Sequence, residues 1–134
     1  MAEQYSQYAV IWAKKMYSSA CLITGDMACS EKLVLETLLH GKALWRATEN
    51  VHTVRVALYK RLIRRCLFIP TKYTGNPIIV NSALKGLGRL RRAVIVLNCF
   101  VGFSQTDAAS ILGIPQTLYA ILLKKSLNRL MRLQ

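Results

Sequence analysis

Two groups of side chains in this 134-residue chain could do chemistry, and both suit holding a polyanion better than breaking a bond. The first follows a glycine turn. Gln116 and Thr117 offer amide and hydroxyl groups of the kind that pair with base edges, and Lys124 and Lys125 follow about two helical turns later, where ammonium groups hold phosphate. The second group is Lys60, Arg61, Arg64 and Arg65. At about 100° per residue these share one side of a helix, opposite Val56, Leu58, Tyr59, Leu62, Ile63 and Cys66. An ordinary solvated face mixes both signs of charge, whereas this one has four cations and no acid, as a phosphate-tracking surface would.

Nothing in the chain provides a catalytic or metal centre. Cys21, Cys29, Cys66 and Cys99 are widely separated with no paired spacing, and His40 and His52 are the only histidines, so no zinc site and no other cofactor is expected. The thiols fit reduced core residues of a cytosolic protein. Gly86-Leu87-Gly88 lacks the third glycine and the preceding strand of a dinucleotide loop, and no nucleophile stands beside a base in a recognisable context. The expectation is a non-enzyme.

The elements that must position these groups are helices. Ser104 can cap a short helix, with Asp107 reaching back to the cap and opposing the positive helix end. Ala108, Ala109, Ile111 and Leu112 give that helix an apolar face, Gly113 can end it in the left-handed conformation, and Pro115 suits the first turn of the next. Helix, glycine turn, helix is the layout of a helix-turn-helix. In the second helix the predicted buried stripe is Leu118, Leu122, Ser126 and Leu130; Thr117, Ile121, Lys124 and Asn128 face out, and Tyr119 is also expected to be exposed.

Upstream, helical spacing places a first helix over about Tyr5 to Ile23, with Tyr8, Ile11, Trp12, Met16, Ala20 and Ile23 as its core stripe. A second runs from about Ser30 to Arg46, weakened at Gly41, and a third from about Thr53 to Phe68. Pro70, Gly75, Asn76 and Pro77 mark a linker, after which Arg89 to Val101 supplies Val94, Leu97 and Val101 to cover the helix-turn-helix. The predicted fold is therefore all-α: two small helical domains, 1–68 and 82–134, joined by a short linker, 69–81, the C-terminal domain being the helix-turn-helix.

The charge is uneven. Residues 1–50 hold five Lys/Arg and five Asp/Glu, whereas residues 51–134 hold fourteen Lys/Arg and one acid, Asp107, so the second part carries the whole net charge of +13. Such a field favours nucleic acid first and an anionic membrane surface second. The longest uncharged run, Ala93 to Thr106, is too short to cross a bilayer, and the apolar start is not laid out as a signal peptide.

Over nearly its whole length the chain resembles a small, extracytoplasmic-function type of bacterial RNA polymerase sigma factor. Leu84-Lys-Gly-Leu87, Arg92-Ala-Val-Ile-Val-Leu97 and Gly102-Phe-Ser-Gln-Thr-Asp-Ala-Ala-Ser-Ile-Leu-Gly-Ile-Pro115 are similar to that family's upstream-element-binding domain. Leu22-Ile-Thr-Gly-Asp26, Ser30-Glu-Lys-Leu-Val-Leu-Glu36 and the basic helix ending Arg64-Arg65 are similar to its N-terminal domain. The resemblance implies that Glu31, Leu33, Val34, Leu35 and Glu36 meet the polymerase clamp. It implies DNA contact for Ser104, Gln116, Thr117, Ala120, Ile121, Lys124 and Lys125, and a role for Lys60, Arg61, Arg64 and Arg65 in opening and holding the downstream element.

The implied partners are core RNA polymerase, double-stranded promoter DNA and an anti-sigma protein. Lys32 and Leu35 stand where the family usually has an acid and a glutamine, and Tyr119 and Ile121 where it commonly has basic residues. No cation lies early in the last helix, so sequence-specific readout is expected to be thin. Besides a transcription initiation factor, two functions fit these features: a diverged sigma-like interaction protein that binds polymerase or a regulator without reading promoters, and a free-standing basic DNA-binding protein.

Overall fold

The computed structural model describes residues 2–70 and 87–132, and every element in them is helical. Most of the expected linker, and the start of the motif Leu84-Lys-Gly-Leu87, lie outside the described residues. The elements are α1 (Ala2–Thr24), α2 (Met27–Thr48), α3 (Val51–Phe68), α4 (Arg89–Ile95, running into a wider π turn over Val96–Phe100), α5 (Gln105–Leu112) and α6 (Gln116–Arg132).

The first three helices end where local chemistry ends them. Gly25 turns the chain with φ 72°, and Asp26 caps α2 by accepting from the Cys29 N–H at 3.0 Å. Asn50 caps α3 in the same way, accepting from the Thr53 N–H at 2.9 Å. Gly41, expected only to weaken α2, has a packing role: a Cβ there would lie 2.0 Å from the Tyr5 hydroxyl, which donates to the Leu38 carbonyl at 2.6 Å. The α1 stripe holds at Trp12, Met16, Ala20 and Ile23, but Ile11 is 70 % exposed and Tyr5 takes a core place instead.

In α4, Val94 and Leu97 are fully buried as expected. The π turn closes with the Val101 N–H donating to the Val96 carbonyl at 2.9 Å, five residues back.

The buried residues form one continuous cluster running from Tyr5 in α1 to Leu123 in α6. Its central joint is Tyr59 of α3 against Phe103, which meet edge to face at 5.1 Å, with the Arg55 guanidinium 4.6 Å over the Phe103 ring. Polar links run between the same halves. Arg92 donates to the Ile23 carbonyl at 2.9 Å, and Arg89 donates to the Cys66 and Ile69 carbonyls at 3.2 and 2.5 Å, so Arg89 satisfies acceptors left open where α3 ends. Burial within this core pushes the Cys66 thiol and the Tyr59 hydroxyl each up to about 12.

Candidate nucleic-acid interface

Local chemistry builds the turn as expected. The Ser104 hydroxyl accepts from the Asp107 N–H at 3.1 Å, and Gly113 adopts φ 70°. The Asp107 carboxylate does not reach back to the cap; it meets the His52 ring of α3 at 3.1 Å. Pro115 precedes α6 and accepts from the Tyr119 N–H at 3.0 Å. The two helices are bent by 100° across three residues, which is helix-turn-helix geometry.

The buried stripe of α6 keeps Ser126 as predicted but sits one residue later over its first two turns, with Leu122 and Leu130 half-buried. Tyr119, Leu123 and Ser126 are buried, whereas Leu118 is 42 % exposed. Tyr119 sets this registration: its hydroxyl donates to the Val94 carbonyl, and burial, with the nearby Cys99 adding to it, raises its pKa. The expected outward row survives the shift. Gln116, Thr117, Ala120, Ile121, Lys124, Lys125 and Asn128 are all exposed, and Ser104 stands exposed at the start of α5 with its oxygen committed to the cap.

On α3 the inward residues are Val54, Leu58, Tyr59, Leu62, Ile63 and Cys66; Val56 lies at the margin. Arg61, Arg64 and Arg65 are exposed and Lys60 is half-buried. With Ala57 and the 81 % exposed Phe68 they line an open groove of about 650 Å³. This face is not free of acids, as the sequence suggested: Arg65 Nη2 lies 3.4 Å from Glu36 Oε2 of α2. The pair is half-exposed and contributes little to stability, but it takes one of the four cations partly out of the field.

That same pair touches the residues expected at a polymerase contact. Glu31 and Leu35 are exposed on α2 and Glu36 is half-buried beside Arg65. Leu33 and Val34 are only 2 % and 6 % exposed, because helical spacing turns them toward α1 and the core. They position the α2 surface and cannot present contact area of their own. The exposed part of this surface includes Leu35 and Leu39, at 60 % and 62 %.

Several residues that shape the interface were missed in the sequence. Arg55 lies four residues before Tyr59, a spacing that places a guanidinium near an aromatic ring on one helix face. The Asp26 cap follows a glycine directly before an apolar run, a start signal present in the sequence. The His52 to Asp107 and Arg65 to Glu36 contacts join distant parts of the chain and leave no local signature. Among the described residues no group of three His, Cys, Asp or Glu side chains could hold a metal ion, and no single helix is long and apolar enough to cross a membrane.

No protein-family model and no curated protein matches the chain. Among solved structures, its fold is similar to that of the sigma factor RpoE from Bartonella quintana, determined in complex with the anti-sigma factor NepR. The TM-score is 0.76, and the match covers 98 % of this chain and 96 % of that one at 20 % sequence identity. Identity so low speaks for the fold alone, and the fold is an all-α, sigma-factor-like one matched almost from end to end.

Proposed function

We propose that the chain is a sigma-like transcription initiation factor that binds core RNA polymerase and directs it to specific promoters, with no catalytic step of its own. The observation that carries this is an end-to-end sigma-like fold in a chain whose α3 and α6 carry exposed cations and no acid of their own. In this account α6 enters the major groove of promoter DNA. Gln116 and Thr117 meet base edges, Ala120 and Ile121 lie against the groove, and Lys124 and Lys125 hold phosphate. Lys60, Arg61, Arg64 and Arg65 hold DNA on α3. Glu31, Leu35 and Glu36 meet the polymerase, supported from beneath by Leu33 and Val34. A regulator of the anti-sigma class is a further partner, as in the complex of the similar structure, and the cytoplasm is where these partners are met.

The test is co-elution with core polymerase, comparing the parent with Leu35→Arg plus Glu31→Lys. Both residues are exposed, and changing them leaves the Glu36 to Arg65 pair intact. The parent should co-elute and the variant should not. A variant that co-elutes as well as the parent defeats the surface assignment, and a parent that never co-elutes defeats the function.

The exposure of Leu118 and Ile121, 42 % and 52 %, with no Lys or Arg in α6 before Lys124, favours a second reading. A sigma-like interaction protein would use that apolar front against a protein. It predicts polymerase binding with no promoter-dependent transcription.

A further inference from the structure

One side of α6 changes character along its length. At about 100° per residue, Leu118, Leu122, Lys125, Arg129 and Arg132 fall within about 80° of one another, with Ile121 at their edge. This side stands about 100° round the helix from the buried Tyr119, Leu123 and Ser126, and about as far from the outward Thr117, Lys124 and Asn128. Its start is apolar: Leu118 is 42 % exposed, Ile121 is 52 % exposed and Leu122 is half-buried. Its later turns are basic, with Lys125, Arg129 and Arg132 all exposed. α6 holds no acid, and Asp107, the last acid in the chain, is held by His52. Among the described residues no carboxylate pairs with any of the three cations.

The two ends of this side require different partners, and few occupants supply both. A phosphate backbone would satisfy the cations and leave three apolar side chains unmatched at the helix start, where a duplex comes closest. A helix lying in a membrane surface has its apolar and cationic residues on opposite faces along its whole length, whereas here they lie end to end on one face. A helix of another protein meets both requirements. Its side chains three and four residues apart form one row, so apolar residues in part of that row can cover Leu118, Ile121 and Leu122 while carboxylates further along reach the three cations. Laid antiparallel to α6, it carries those carboxylates in its first turns, where its own dipole favours them. Leu118 and Arg132 are fourteen residues apart, ~21 Å at ~1.5 Å per residue, which about four turns of a partner helix span.

We propose that this side of α6 docks an antiparallel amphipathic helix of another protein, acidic in its first turns and apolar in those that follow. This rests on the reading of the chain as an interaction protein whose α6 front meets protein, and it names the chemistry of that partner.

The test is a titration of the full chain against a labelled helical peptide of about 15 residues, with glutamates in the first half of one face and leucines in the second half. One peptide should bind per chain, less tightly as salt is added. Arg129→Gln plus Arg132→Gln should weaken binding by roughly 2- to 30-fold, the range that two exposed ion pairs span. Leu118→Ser should weaken it as well, and circular dichroism should be unchanged in both variants. Lys42→Gln plus Arg46→Gln removes the same two charges from exposed positions on α2 and should leave the affinity as it was. An equal loss in that control pair overturns the proposal, because the attraction would then be to net charge alone. So does a peptide with glutamine for glutamate that binds as tightly, or no binding of the acidic peptide at all. Binding to vesicles of phosphatidylcholine and phosphatidylglycerol that needs Leu118, Arg129 and Arg132, without peptide binding, would replace the protein helix by an anionic surface. A dimer in sedimentation that Leu118→Ser breaks would replace it by a second copy of the chain. Polymerase co-elution and promoter-dependent transcription, measured separately, decide the reading on which the proposal rests.

Discussion

Replacing Phe103 by alanine tests whether the two halves of the chain share one core. The ring is 3 % exposed, meets Tyr59 at 5.1 Å and lies 4.6 Å beneath Arg55. A buried Phe→Ala change costs about 3–5 kcal/mol. At about 4 kcal/mol, and a urea dependence of about 2 kcal/mol per molar, the unfolding midpoint falls by about 2 M. The two tryptophans, Trp12 and Trp45, both lie in the first half, whereas Phe103 lies in the second. Tryptophan fluorescence therefore watches the half that has not been altered, and far-ultraviolet circular dichroism watches every helix. In a shared core the two signals coincide in parent and variant, and both midpoints move together. A tryptophan transition that stays at the parent midpoint while ellipticity shifts would show that the halves unfold separately.

Other perturbations probe single features. Gly41→Ala sets a methyl group against the Tyr5 hydroxyl and should destabilise by about 1–3 kcal/mol in thermal melts, with Tyr5→Phe in the same chain restoring part of the loss. Gly113→Ala forces φ 70° on a residue with a Cβ and pushes Arg64 aside, at a cost of about 1–2 kcal/mol; a melt unchanged within error would contradict the left-handed turn. Cys66 and Tyr59 are pushed up to about 12 by burial, from ordinary values of 9.0 and 10.0, so the folded chain retains protons that the unfolded chain releases. Their contribution to stability is complete below about pH 9 and is lost as pH rises toward 12. Cys66→Ala should make the decline just above pH 9 shallower in urea midpoints measured across that range; an equally steep decline would remove Cys66 as a cause.

What was legible in the sequence was local. The Ser104 cap, the Gly113 turn and the inward face of α3 each depend on residues within one or two turns, and each stands where expected. The stripe of α6 was not decided locally. Leucines at 118, 122, 123, 127 and 130 ring the helix, so the same period admits two stripes one residue apart. The choice falls to Tyr119, whose hydroxyl finds a buried acceptor at Val94, twenty-five residues away. The packing role of Gly41 was not legible for the same reason, because the group that requires its missing Cβ sits on another helix. The burial of Leu33 and Val34 follows from helical spacing, but a motif matched as a continuous run does not separate inward from outward positions.

Charge counted along the chain also differs from charge presented at the surface. Of the cations after residue 50, Arg89 and Arg92 turn toward backbone carbonyls, two of them in the first half, Arg55 is stacked over Phe103, and Arg65 faces Glu36. These four help to join the helices. Among the described residues, what remains exposed is Arg61 and Arg64 on α3 and Lys124, Lys125, Arg129 and Arg132 on α6. The basic excess therefore has two physical functions, and they require different surroundings. Arginine bonded to a carbonyl within the fold is little affected by added salt, whereas the exposed groups depend on counterion release and act on a partner only over about a Debye length, ~8–10 Å. On the proposed function, polyanion binding rests on these exposed cations, which the core fixes in place, and not on the total charge.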